Sequence, residues 1–168
     1  MDRNEFWRLI AAAKAESNGG CIRQVAMLEK TLAALPEQEI IAFNRIFDEH
    51  MAVSYNWDLW AAAYSINGGC SDDCFDYFRG WLMAQGPTIF YNALEDPETL
   101  IVADIDLDQP DIECQHLLGV ARRAYKTRTG AEFPRQRQTW MAAGPSGETW
   151  QEKDLATRYP RLWAKFVV

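Results

Sequence analysis

No stretch of this chain approaches the roughly eighteen unbroken apolar residues that a membrane-spanning helix requires. Nor does a basic end lead into a short apolar block. Met1-Asp2-Arg3-Asn4-Glu5 carries acids and runs into an amphipathic pattern, which points away from a secretory signal and toward the cytoplasm. Histidine is scarce: His50 and His116 stand far apart, and no Cys-x-x-Cys pair exists. The i, i+4 spacing of Cys70 and Cys74 supplies only half of a zinc site. A phosphate-binding loop and a G-x-S-x-G nucleophile context are missing as well. No cofactor and no metal are therefore expected. Cys21, Cys70, Cys74 and Cys114 would suggest bridges in a small secreted protein, but without an export signal they are expected to be four reduced thiols.

What is present favours one packed globule. A chain of 168 residues with 48% apolar and 12% aromatic residues, seven of them Trp, can bury a single core and has no need of disorder. The net charge of −7 conceals an asymmetry. Residues 1–121 hold 7 Lys/Arg against 20 Asp/Glu, a balance of −13, whereas residues 122–168 hold 10 against 4, a balance of +6. An acidic body repels nucleic acid and membrane surfaces and suits a basic protein partner. The basic stretch Arg122, Arg123, Lys126, Arg128, Arg135 and Arg137 has the composition of a phosphate patch. Pairing with acids of its own domain is the competing and preferred reading.

Helical spacing dominates the chain. Asp2 with Glu5 makes a capping-box-like start before Phe6, Leu9, Ile10 and Ala13, and Asn18-Gly19-Gly20 ends that helix. Cys21, Val25, Leu28, Leu32 and Leu35 form a second stripe, and Pro36 opens a third helix with Ile40, Phe43, Phe47 and Met51 inward. Trp57 to Ile66 reads as a helix ended by Asn67-Gly68-Gly69, with Ala61–Ala63 permitting close approach of a neighbour. Ser71 is the cap of the next helix, with Phe75, Phe78 and Leu82 as its apolar face; Gly80 in mid-helix calls for a backbone or bulky ring against it. Short helical segments are expected near 88–94 and 97–103. A longer helix should follow through Cys114, Leu117, Ala121 and Tyr125, and a last one capped by Asp154. Residues 130–147 read as irregular. Residues 95–113 hold eight acids and no base; in Asp104-x-Asp106-x-Asp108 the position where a calcium loop needs Gly is Gln109. The expected fold is mostly α: one helical bundle over 1–168 with a central aromatic helix–Gly-Gly–helix hairpin.

That hairpin holds the densest set of chemistry-bearing side chains: Trp57, Asp58, Trp60, Asp72, Asp73, Asp76 and Arg79. Converging carboxylates shift one another's pKa and attract Mg²⁺, so the set could serve acid–base or metal chemistry. Capping explains the same residues more simply, with Ser71, Asp72 and Asp73 at one helix start, Asp58 at the other, and Arg79 neutralising the group. Cys74 near a helix N-terminus is opposed as a thiolate by the acids at 72, 73 and 76. The Trp-rich stripes read as core, and the exposed positions are too acidic for a DNA-reading helix–turn–helix.

The run W-D-L-W-A-A-A-Y-S-I-N-G-G-C-S-D-D-C-F-D-Y-F-R-G-W-L, residues 57–82, with Glu5-Phe6-Trp7 upstream, resembles an uncharacterised bacterial family catalogued as a domain of unknown function. The resemblance covers about residues 2–125 and leaves 126–168 as a basic C-terminal extension. It implies the fold and a bacterial, cytoplasmic origin, and carries no activity. Two functions remain as expectations. One is a non-catalytic acidic binding protein that engages a basic protein, of which a toxin-neutralising immunity protein is a concrete form. The alternative is a carboxylate- or metal-dependent enzyme using Asp58, Asp72 and Asp73.

Overall fold

The Asp2 side chain accepts from the Glu5 N–H at 2.8 Å and starts α1, Arg3–Ser17. Glu5 does not complete the box; it pairs with Arg8 instead. Asn18, in the left-handed region at φ 52°, closes the helix as its position before two glycines suggested. The structure, a computed structural model, describes residues 1–18, 20–106, 111–135 and 143–167. Gly19, Asp108, Gln109, Arg137 and Trp140 lie outside the described residues.

Helix α2, Cys21–Ala33, buries Val25, Leu28 and Leu32. Helix α3, Glu37–Val53, buries Ile40, Phe43, Phe47 and Met51, the stripe read from the sequence. Pro36 stands at its N-cap, one position earlier than the first-turn placement expected. Helices α4, Trp57–Asn67, and α5, Asp72–Ala84, form the hairpin, and α6 runs Pro87–Glu95 with Pro at its first position. A 3₁₀ turn spans Pro97–Val102. The described residues contain no strand, only an isolated bridge between Asn56 and Ser146.

Helix α5 is the hub: it packs against α1, α2, α3, α4 and α6 and against the 3₁₀ turn Gln115–Gly119. Its Phe75, Phe78 and Leu82 are fully buried, each stabilising by roughly 1.5–3 kcal/mol. Gly80 is where the backbone of another segment crosses. A Cβ there would lie 2.8 Å from the Cys114 carbonyl oxygen, while the Cys114 N–H donates to Tyr77 O at 2.9 Å. That crossing also corrects one expected element. With Cys114 held against α5, the following chain starts as the tight turn Gln115–Gly119, and regular helix begins only at α7, Val120–Thr129.

The expected final helix is two, α8 (Glu152–Arg158) and α9 (Pro160–Phe166), broken where Pro160 denies an N–H to the ladder. Asp154 is not the cap; it accepts from the N–H of Gln151, the residue that occupies the cap. Both helices belong to the common core, through Leu155, Tyr159 and Leu162, and α9 packs on α4 and on the Pro97–Val102 turn.

The cysteines overturn the expectation of four reduced thiols. Cys21 is bonded to Cys114, and Cys70 to Cys74. The fold brings α2's first residue to the segment crossing α5, a proximity that a sequence separation of 93 conceals. Closing so long a loop restricts the unfolded chain by on the order of 4–5 kcal/mol.

Candidate functional site

The hairpin is built from its caps inward. Asn56 caps α4, accepting from the Leu59 N–H at 2.8 Å, so Asp58 stands in the first turn and is not the cap. Nearly every side of α4 is covered: Leu59, Ala61, Ala62, Ala63, Ser65 and Ile66 are all buried. The turn uses Gly68 and Gly69 at φ 67° and 138°, conformations that side chains resist. Ser71 Oγ then accepts from the Cys74 N–H and starts α5.

Its aromatic rings form a ladder. Trp57 stacks on Trp60 at 5.3 Å between centroids, Trp60 on Phe75 at 4.7 Å, Phe75 on Phe78 at 6.2 Å and Phe78 on Trp81 at 5.8 Å, with planes within 25° of parallel throughout. Trp60 Nε1 donates to the Cys70 carbonyl at 3.0 Å. Trp57 and Trp60 are half-buried, and their rings are packed into the ladder as structural members, in line with the core reading of the Trp stripes.

The carboxylates do not gather. Asp58 and the start of α5 lie at opposite ends of α4, about 15 Å apart along its axis at 1.5 Å per residue. Asp72 and Asp73 are exposed in the first turn of α5, a favourable place for negative charge. Among the described residues, no three His, Cys, Asp or Glu side chains come together in a way that would hold a metal ion.

Arg79 does not neutralise the group as a whole. It is fully buried, where Nη2 pairs with Asp76 and Nη1 donates to Met51 O at 2.6 Å. Its guanidinium lies 4.8 Å from the Tyr55 ring centroid and 5.0 Å from that of Phe75. Burial lowers its proton affinity and the Asp76 carboxylate raises it, so the cation is retained through its partner.

Asp58 meets the C-terminal extension instead. Arg158 Nη2 donates to Asp58 Oδ1 at 2.9 Å, and the Tyr159 hydroxyl donates to the same oxygen. Burial, then the neighbouring carboxylate, holds the Tyr159 phenol protonated well above its ordinary range, so it remains a donor. Beside this clip, Trp150 Nε1 donates to Trp57 O at 2.8 Å and sets its ring edge-on to Trp57 and Tyr64. The Trp57 N–H reaches Ser146 O and the Ser146 N–H reaches Tyr55 O, at 2.9 and 3.0 Å.

Two cations of the basic segment follow the preferred reading of pairing with acids. Arg123 pairs with Glu29 at 2.7 Å and donates to His116 O; Lys126 pairs with Glu132; Arg122 lies over the Phe133 ring. Farther on, Arg161 pairs with Asp96 and Glu98.

One polar site escaped sequence reasoning. His50 is buried on α3, stacked on Phe6 and flanked by Trp7 and Phe90. Its Nδ1 donates to Ile46 O at 2.7 Å, which leaves Nε2 to accept from the Tyr91 hydroxyl at 2.9 Å; Trp7 Nε1 donates to Tyr91 in turn. Burial lowers the His50 pKa below its ordinary value. A hydrogen-bonded chain spanning residues 7, 50 and 91 leaves no local motif, and the only available hint was His50 at a core-facing helical position.

No curated protein and no solved structure matches this chain. A family profile does match, over residues 1–127, close to the 2–125 anticipated from the hairpin signature. The C-terminal helices α8 and α9, with the Asp58 clip they supply, fall beyond it. By that match the chain belongs to the family described as protein of unknown function (DUF4240).

Proposed function

We propose that this is a non-catalytic bacterial binding protein whose acidic body engages a basic protein partner, a toxin-neutralising immunity protein being one form. The observation that carries the reading is where the charges go. Several cations of the basic stretch over residues 122–168 are committed within the molecule: Arg123 to Glu29, Arg158 to Asp58, and Arg161 to Asp96 and Glu98. Asp72, Asp73, Glu95, Asp104, Asp111 and Glu113 stand exposed. The surface that the body, residues 1–121, offers is therefore acidic, which favours fast, salt-sensitive association with a basic surface. The separation of Asp58 from Asp72 and Asp73 lends no support to the carboxylate or metal enzyme expected as the alternative.

The test is affinity capture from the native bacterium with the wild-type chain and an Asp72→Lys/Asp73→Lys/Glu113→Lys variant. A basic protein should be retained by the wild type at low salt and lost at high salt, and the variant should fail to retain it at either. Equal capture by both chains, or capture indifferent to salt, rejects the reading.

A further inference from the structure

The two disulfides differ in what leaves when a reagent in solution attacks them. Cys21 is partly exposed, but its partner Cys114 is 1% exposed and lies under the crossing with α5, so attack on Cys21 would expel a thiolate into the apolar interior. Cys70 and Cys74 are both half-exposed, in and just after the link between α4 and α5. Their Cα atoms are 5.4 Å apart, within the span a disulfide bridges without backbone movement.

The surroundings of Cys74 suit it to be the departing sulfur. It occupies the third position of α5, where its N–H donates to Ser71 Oγ, and Asn67 Nδ2 donates to Cys74 Sγ at 3.3 Å. Charge developing on that sulfur meets an amide donor and the positive end of a 13-residue helix. The opposing carboxylates are weakened: Asp72 and Asp73 are exposed, so the high dielectric of water reduces their repulsion, and Asp76 is tied to Arg79.

We propose that Cys70–Cys74 is a reversible exchange site for small thiols of the glutathione class, while Cys21–Cys114 is a permanent staple. A glutathione thiolate attacks Cys70 Sγ; a mixed disulfide forms as the Cys70–Cys74 bond breaks, and the electron pair leaves on Cys74. A second glutathione thiolate attacks the glutathione sulfur of the mixed disulfide and releases Cys70. Two glutathione molecules thereby lose two electrons and become one disulfide, and Cys70 and Cys74 take up the two protons. Oxidised glutathione drives the same steps in reverse.

Trp60, bonded to the Cys70 carbonyl, provides an optical reporter, because a disulfide quenches an adjacent indole. The full-length native protein is titrated with reduced glutathione, alkylated and peptide-mapped. Two labels per chain should appear, on the peptides carrying Cys70 and Cys74, together with a rise in Trp fluorescence. The glutathione needed should be about tenfold or more below that for Cys21 and Cys114, since there the departing Cys114 sulfur is buried. Cys70→Ser should label at Cys74 without reductant and show no reductant-dependent step at that pair. Four labels arriving together, labels appearing first on Cys21 and Cys114, or none before unfolding would overturn the proposal. So would Cys70 and Cys74 that stay reduced in excess oxidised glutathione.

Discussion

Arg79 carries a positive charge into the centre of the fold, and its environment shows what that placement requires. A carboxylate, a carbonyl and two ring faces replace the water it lost. Arg79→Ala should therefore lower the unfolding free energy by about 3–5 kcal/mol, read from urea melts. Arg79→Lys should recover little, because an ammonium cannot reach Asp76 and Met51 O with a planar fork. A loss under about 1 kcal/mol for the alanine variant would contradict this account. His50 makes a second case at the same scale. Its ring is held neutral by burial, with Arg3 and Glu49 as the nearby charges, so below about pH 6.5 the unfolded chain binds the proton more readily. Stability from the neutral ring is complete above that value and declines as the pH falls through it toward the folded value. The urea midpoint should drop between about pH 7 and pH 5, and His50→Gln should flatten that part of the profile. An unchanged slope in the variant would exclude His50 as its source. The caps at Asp2 and Ser71 were legible in the sequence because a cap is a contact across three residues. The setting of Arg79 was not, since Met51 O lies 28 residues away.

Among elements, α5 shows how a helix penalty can be a packing gain. Alanine at an exposed helical glycine stabilises by about 1 kcal/mol. At Gly80 the added methyl would press on the Cys114 carbonyl oxygen at 2.8 Å, in a residue whose amide N–H is held by donating to Tyr77 O. Gly80→Ala should thus destabilise by about 1–3 kcal/mol and lower the melting midpoint; a stabilised variant would show that the crossing yields freely. The need for a close neighbour at Gly80 could be read in advance, its identity could not. Apolar periodicity likewise located α1 to α6, since each stripe is a local pattern. It misread the start of α7 and the break at Tyr159, where a distant crossing and a proline set the backbone. The carboxylate cluster at the hairpin looked compact only along the chain. The 11-residue helix α4, with Asp58 in its first turn, keeps that residue apart from Asp72 and Asp73.

For the whole molecule, the C-terminal extension behaves as a strap laid over the α4 end of the hairpin. Asp58 fastens it through Arg158 and Tyr159, and Trp150 seals it against Trp57. Asp58→Asn should weaken that fastening by about 1–2 kcal/mol and hasten proteolytic cleavage within 143–167, with the family-matched part left intact on a gel. Unchanged cleavage would mean that the apolar contacts of Leu155 and Leu162 hold the strap alone. The charge asymmetry between the two parts of the chain was plain in the sequence. The specific acids that the extension would meet, Asp58, Asp96 and Glu98, were set by tertiary packing.

The ring ladder of the hairpin has a spectroscopic consequence. Trp57 and Trp60, 5.3 Å apart and 14° from parallel, are close enough for their excited states to mix, and Phe75, Phe78 and Trp81 extend the array. The far-ultraviolet dichroism of this protein is then a sum of peptide and exciton bands. A helix content inverted from that spectrum alone would be biased, and part of the signal would vanish on replacing a single indole that leaves every helix in place.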